Sequence, residues 1–135
     1  MWRSPILLCE LQQSLEIAYL FITHDISVVA YMADEIAVMY LGRIVEQGTT
    51  GEILTRPLHP YTQSLLASVP RSRPDLEPQR VRLQGDPPSP ADPPSGCAFH
   101  PRCRWCEPRC VRDFPPQSRA GDRHIVRCFR ATAVP

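Results

Sequence analysis

The chain has 135 residues, with 15 Arg, no Lys, 14 acidic residues and a formal net charge of +1. No run of about 18 apolar residues occurs that would serve as a membrane-spanning helix, and the start from Met1 to Leu8 meets Glu10 and Gln12 too soon for a secretory signal. The small net charge hides an asymmetry: residues 1–70 carry 3 Arg against 7 acidic side chains, whereas residues 71–135 carry 12 Arg against 7. A basic half can face nucleic acid or anionic lipid. Here a solvated surface is expected and nucleic acid is not an expected partner.

In chain order, Ile6, Leu7, Leu8, Leu11, Leu15 and Ala18 recur at spacings of one, three and four. This predicts an amphipathic helix. It leads into Tyr19-Leu20-Phe21-Ile22, an unbroken apolar run that reads as a strand covered on both faces, and then into Thr23-His24-Asp25. Asp25 is a good N-cap, with Ile26, Val28, Val29, Tyr31 and Met32 as a short apolar helix face behind it. A buried strand that delivers a polar side chain just ahead of a helix lies where open α/β sheets bind ligands, which makes His24 a candidate functional residue. By itself a lone histidine at a strand end is more often structural.

Glu35–Tyr40 predicts a second strand, Leu41-Gly42 a two-residue turn, and Arg43–Gln47 a returning strand whose alternation puts one face in the core. Thr49 or Thr50 is expected to cap a short helix around Gly51–Leu54, ended by Pro57. A further helix opens at His59-Pro60-Tyr61-Thr62, with Tyr61, Leu65 and Leu66 as its apolar stripe and Pro70 beyond its end. Val81–Leu83 reads as a short edge strand, and Gly85–Gly96 as a stiff, extended linker. Twelve of the 16 prolines fall between Pro70 and Pro116, so the core is expected to come mainly from residues 6–70 and to be only marginally stable. Three segments follow from this pass: 1–56, 57–84, and a Pro- and Cys-rich tail over 85–135.

Five of the six cysteines lie in that tail: Cys97, Cys103, Cys106, Cys110 and Cys128. Cys9, on the first helix, is most simply a small buried hydrophobe. The tail has few apolar residues, so a cross-link is needed to hold it. With no export signal, metal thiolates are favoured over disulfides. Cys103-x-x-Cys106 has zinc-like spacing, and a zinc site would draw on Cys97, Cys103, Cys106 and Cys110 or recruit His100 or His124. Cys97, Cys103 and Cys110 with the distant Cys128 suit an iron–sulfur cluster, and structural or free thiols are the third possibility.

The residues also carry a resemblance. Leu20-Phe21-Ile22-Thr23-His24-Asp25, Val29, Ala33-Asp34, Val38-Met39-Tyr40 and Gly42-Arg43-Ile44-Val45-Glu46 resemble the end of an ABC-transporter ATPase domain. His59-Pro60-Tyr61-Thr62, Leu65-Leu66, Gly96-Cys97, Phe99 and Arg102-Cys103 resemble one branch of it, the ATP-binding subunits of dipeptide and oligopeptide importers. The resemblance covers residues 6–130. It implies an α/β fold, the C-terminal remnant of a P-loop ABC ATPase domain followed by a small irregular extension. His24 matches the family's switch histidine, which contacts the γ-phosphate of ATP. The family pattern for a 4Fe–4S cluster falls on Cys97, Cys103, Cys110 and Cys128, with zinc as the alternative and Cys106 outside the set. The implied partners are transporter membrane subunits and a second ATPase subunit, at the cytoplasmic face of the cell membrane.

The departures are as plain. No Gly-x-x-x-x-Gly-Lys-Ser/Thr phosphate loop, no Leu-Ser-Gly-Gly-Gln signature and no apolar strand ending in Asp-Glu occurs in the sequence. Met1-Trp2-Arg3-Ser4-Pro5 does not resemble the family and reads as a new start on a truncated frame. The phosphate loop supplies most of the donors that hold a triphosphate, so this polypeptide alone is expected neither to bind nor to hydrolyse ATP usefully. ATP and Mg²⁺ belong to the full-length family member. The runner-up reading is a free-standing iron–sulfur or zinc module without ATPase activity.

Overall fold

The computed structural model describes residues 3–69 and 85–131, the side chains of the first three excepted. The predicted edge strand at Val81–Leu83 and the end at Pro70 lie outside the described residues. The chain mixes helices with a sheet, as expected, and divides into two compact units, Met1–Asp34 and Glu35–Pro135.

In the first unit, helix α1 spans Arg3–Leu15 and ends where Glu16 takes a left-handed φ of 52°, so Ala18 lies beyond it. Cys9 is half-buried on this helix. Helix α2 spans Ile26–Met32, and its cap is the predicted one: Asp25 Oδ1 accepts from Ser27 N–H at 2.9 Å and from Val28 N–H at 3.3 Å. The predicted strand between the helices does not form. No strand pairs with Tyr19–Ile22 among the described residues, and Leu20 and Ile22 stand 91% and 95% exposed. An apolar run becomes a buried strand only where neighbours satisfy its backbone N–H and C=O groups, and here it has none.

The second unit begins with the hairpin β1 (Glu35–Tyr40) and β2 (Arg43–Thr49). Leu41 and Gly42 both have positive φ, 46° and 74°, as the tight primed turn of a two-residue hairpin requires. Pairing runs Val38↔Glu46 and Met39↔Ile44, so Val45 is an inserted bulge residue. The bulge breaks the predicted alternation, and Val45 and Glu46 are both buried. Helix α3 (Thr50–Thr55) starts with a full capping box between Thr49 and Glu52. Helix α4 (Pro60–Ala67) starts with His59 as its cap. Gly85–Gly96 contains no regular element, but Asp92 N–H donates to Ser89 C=O at 3.2 Å, so the segment turns rather than running fully extended.

The tail holds a short 3-10 turn at His100–Arg102, helix α5 (Pro108–Arg112), and two short strands, β3 (Ser118–Arg119) and β4 (Ile125–Val126). The sheet is antiparallel with order β1-β2-β4-β3, in which Val126 pairs with Glu46 and with Ser118. Ala98 and Phe99 share a core cluster with Val38, Tyr40, Val45 and Ile53, and Val126 and Ala131 bury Leu58 in another. Phe99 stands edge-on to Tyr40 at 5.2 Å between ring centroids and lies 5.6 Å from Tyr61. The core therefore is not confined to residues 6–70. The tail supplies one of its largest buried side chains and an inner strand of its sheet.

Candidate metal centre

The cysteine segment is wound by its own backbone. His100 N–H donates to Cys97 C=O at 2.9 Å, Cys103 N–H to His100 C=O at 3.2 Å, and Cys106 N–H to Cys103 C=O at 3.1 Å. Cys97 N–H reaches across to Cys110 C=O at 2.8 Å, which ties the start of the segment to α5. The crossing requires glycine at position 96: its φ is +64°, and a Cβ there would run into the backbone of Cys110 and Val111.

These turns bring Cys97, Cys103, Cys110 and Cys128 to the wall of one cavity of about 130 Å³, together with His59, Phe99, His100 and Trp105. Cys106 does not line it; its exposed sulfur points at Glu107 C=O, 3.7 Å away. The backbone amides of Phe99, Trp105 and Arg130 counter part of the rise that burial imposes on the thiols of Cys97, Cys103 and Cys128. Burial pushes the Cys97 and Cys103 thiols up to about 11, with neighbouring cysteines adding to the shift, and burial raises Cys128 as well. A cation entering this ring must therefore displace protons. Among the described residues no group of three or more His, Cys, Asp or Glu is placed so that it could hold a metal ion.

The remaining sequence candidates fall elsewhere. His24 is exposed, in the loop ahead of α2, where Thr23 Oγ1 accepts from Asp25 N–H at 3.1 Å. His100 lines the cavity, whereas His124 does not. His124 is fully buried, with Nε2 2.7 Å from Glu46 Oε1, so it serves as a partner to that carboxylate.

Sequence reasoning missed that carboxylate. Glu46, 1% exposed, accepts from Leu58 N–H at 2.7 Å, from His59 N–H at 2.9 Å and from the His124 ring. It joins the hairpin, the start of α4 and the tail at one point. A carboxylate is almost never this buried unless its oxygens are fully engaged. The only signal in the sequence was an acidic residue in the middle of an otherwise core-facing strand. His59 was missed too. It is 1% exposed, its Nδ1 accepts from Tyr61 N–H at 3.1 Å, and burial lowers it to about 4, so it is neutral at pH 7.

Residues 45–110, which carry Glu46, His59 and three of the four ring cysteines, match the family described as oligopeptide/dipeptide transporter, C-terminal region. The chain is 46% identical over 123 residues to the dipeptide transport ATP-binding protein DppF of Haemophilus influenzae, covering 91% of this chain and 38% of that protein. It is 49% identical to DppF of Escherichia coli, again over 91% of this chain and 36% of the relative. It is 46% identical to the oligopeptide transport ATP-binding protein AppF of Bacillus subtilis, over 88% of this chain and 37% of the relative. The chain thus spans a little over a third of the length of these relatives. The family match runs from the bulge residue Val45 to Cys110, leaving Cys128 outside it, and the likeness to dipeptide and oligopeptide transport ATP-binding proteins extends over about nine-tenths of the chain.

Proposed function

We propose that this chain acts as the C-terminal part of the ATP-hydrolysing subunit of a dipeptide or oligopeptide ABC importer, and that its tail holds a 4Fe–4S cluster on Cys97, Cys103, Cys110 and Cys128. The first half of the reading is supported by relatives named as dipeptide and oligopeptide transport ATP-binding proteins, matched across about nine-tenths of the chain. On this reading α2 and the β1–β2 hairpin correspond to the end of a P-loop ABC ATPase domain. The partners are the importer's membrane subunits and a second ATPase subunit, at the cytoplasmic face. No helix among the described residues is long and apolar enough to cross a membrane.

His24 would act in the assembled ATPase, where a neutral imidazole can donate to a phosphoryl oxygen as charge gathers there. The polypeptide by itself has no phosphate loop, so it does not hold ATP. Calorimetry with MgATP tests this, and millimolar or tighter binding to the isolated chain would overturn it.

The observation that carries the metal reading is the placement of these four thiols, and not Cys106, around one cavity. A cluster takes one thiolate per iron and so needs ligands spread around a space, whereas a single zinc ion draws its four ligands to a point. When bound, the cluster would supply a cross-link between the 97–110 segment and the stretch just after β4 that carries Cys128, with electron transfer as a further capacity. Iron, acid-labile sulfide and zinc should be measured per polypeptide after anaerobic purification. About four iron and four sulfide are expected. About one zinc, with Cys106 required for its retention, would replace the cluster with a structural zinc site.

A second reading, a metal module acting without ATPase, is favoured by one observation: residues from Glu35 on build their own core around the ring. It requires loaded, folded protein that does not associate with importer membrane subunits. Co-purification with those subunits decides against it.

A further inference from the structure

Cys106 has no place on the wall of the cysteine cavity, yet its thiol interacts with one that does, that of Cys110. Cys106 precedes the N-cap of α5, where Glu107 is extended at φ −114° and ψ 159° and Pro108 opens the helix. A residue in that position is set against the first helical turn. Two bonds converge on one carbonyl there. The Cys106 thiol donates to Glu107 C=O at 3.7 Å, and Cys110 N–H donates to the same oxygen at 2.8 Å. Cys97, Cys103 and Cys128 sense the other thiols only as charges, whereas Cys106 also meets Cys110 side chain to side chain. Exposure separates the two partners: Cys106 is exposed and Cys110 is buried. An exposed thiol with a second thiol against it is the arrangement of a redox pair, one sulfur open to an oxidant and one to resolve it.

We infer that Cys106 and Cys110 form a disulfide when the chain meets a hydroperoxide, making Cys106 a redox modification site that withdraws Cys110 from the ring. The Cys106 thiolate attacks the peroxide. An S–O bond forms, the O–O bond breaks, and the sulfur becomes a sulfenic acid while the other oxygen leaves as hydroxide and takes a proton to become water. The Cys110 sulfur then attacks the Cys106 sulfur. The S–S bond forms, the S–O bond breaks, and the departing hydroxyl takes the Cys110 proton to leave as a second water. In sum, two thiols and one hydrogen peroxide give one disulfide and two waters. Only residues 107–109 lie between the two cysteines, and Pro108 has a fixed φ, so the loop that the bond closes is short and largely pre-formed. A sulfur held in a disulfide is no longer a thiolate ligand, so oxidation would lower the metal content of the ring. That consequence rests on the metal reading above, whereas the bond itself does not.

The test uses the full chain, freed of metal with a chelator, treated with hydrogen peroxide, alkylated under denaturing conditions, cut with trypsin and read by mass spectrometry. Trypsin cleaves after Arg104, Arg109 and Arg112, so the two cysteines leave on different peptides, residues 105–109 and 110–112. These peptides are expected to be joined by a bond that dithiothreitol opens. At the same dose Cys106→Ser should leave Cys110 free for alkylation, and Cys110→Ser should stop at a Cys106 sulfenic acid that dimedone captures. Cys110 joined instead to Cys97, Cys103 or Cys128, no joined peptides at all, or equal oxidation of Cys110 in Cys106→Ser overturns the inference. The first measurement needs no variant, so poor folding of either variant does not shelter the idea. Loading with iron and sulfide then reads the consequence. Prior oxidation should cut uptake several-fold in the unsubstituted chain and leave Cys106→Ser unaffected, and an equal loss in both would show that the bond does not govern the ring. A chain that takes up no iron in either state overturns the cluster reading and leaves the bond standing.

Discussion

Residues 3–34 expose Leu7, Leu15, Leu20, Phe21 and Ile22, whereas residues 35–131 bury Glu46, His59, Thr62, Ser64 and His124 alongside Val38, Tyr40 and Phe99. The more apolar stretch has no core of its own, and the more polar one does. The difference lies in partners. Tyr19–Ile22 has no strand to pair with among the described residues, so its apolar side chains have nothing to pack under. Glu46 has three donors waiting, two backbone amides and the His124 ring, so a charged side chain becomes a fixed point of the fold.

The sharpest way to break this contrast is to remove the acceptor. Glu46→Gln keeps the volume, and its carbonyl oxygen can still accept from Leu58 N–H and the His124 ring, but its NH2 then faces His59 N–H, leaving two buried donors opposed. At about 1–3 kcal/mol per orphaned group, the loss should be about 3 kcal/mol or more, a large share of what a unit of this size holds. Near-ultraviolet circular dichroism reports the Tyr40, Tyr61 and Phe99 cluster, and its transition should collapse or shift strongly. An unchanged denaturation midpoint would mean that Glu46 is a bystander.

A pH titration sharpens the same point with nearly as large an effect. The folded chain holds His59 at about 4, below its ordinary 6.5. Between those values the unfolded chain binds a proton that the folded chain refuses, so the stability present above pH 6.5 is withdrawn as the pH falls toward 4. The most this one group can withdraw is about 3 kcal/mol. Urea midpoints measured from pH 7 to pH 4 should fall, and the His59→Asn profile should be flatter than that of the unsubstituted chain. Parallel profiles would remove His59 from the account.

Gly96→Ala should cost about 1–2 kcal/mol for the left-handed backbone alone, and its Cβ also displaces the Cys110 backbone. The bond from Cys97 N–H to Cys110 C=O, 2.8 Å long, should open and separate the two thiols. Iron uptake should drop, and the buried Cys110 thiol should react faster with a thiol reagent. Full uptake in this variant would show that the ring tolerates a looser frame.

How legible each part was follows from how local its cause is. The Asp25 cap, the Leu41-Gly42 turn, the Thr49 helix start and the α4 start at Pro60 all rest on neighbours within four residues, and all are present. Strand β4 pairs residues about 80 apart, Glu46 with Val126, and Ile125-Val126 is too short to carry an alternation pattern. The Glu46–His124 contact is invisible for the same reason. Tyr19–Ile22 failed in the opposite direction: its pattern is that of a buried strand, but a pattern supplies no hydrogen-bonding neighbour. The four ring cysteines were chosen from spacing and resemblance; Cys106 does not line the cavity they share, but its thiol interacts with that of Cys110.

The smallest effect is expected in the apolar stretch itself. Leu20 and Ile22 touch little, so the double change Leu20→Ser with Ile22→Ser should leave the urea midpoint of the Glu35–Ala131 unit within about 0.5 kcal/mol. What it should change is association. Exposed apolar residues with unpaired backbone are a template for edge pairing, so the unsubstituted chain should self-associate at lower concentration than the double variant in sedimentation velocity. If both variants sediment alike and the midpoint drops, then Leu20 and Ile22 support the folded unit after all, and the two regions would not differ in the way their exposure indicates.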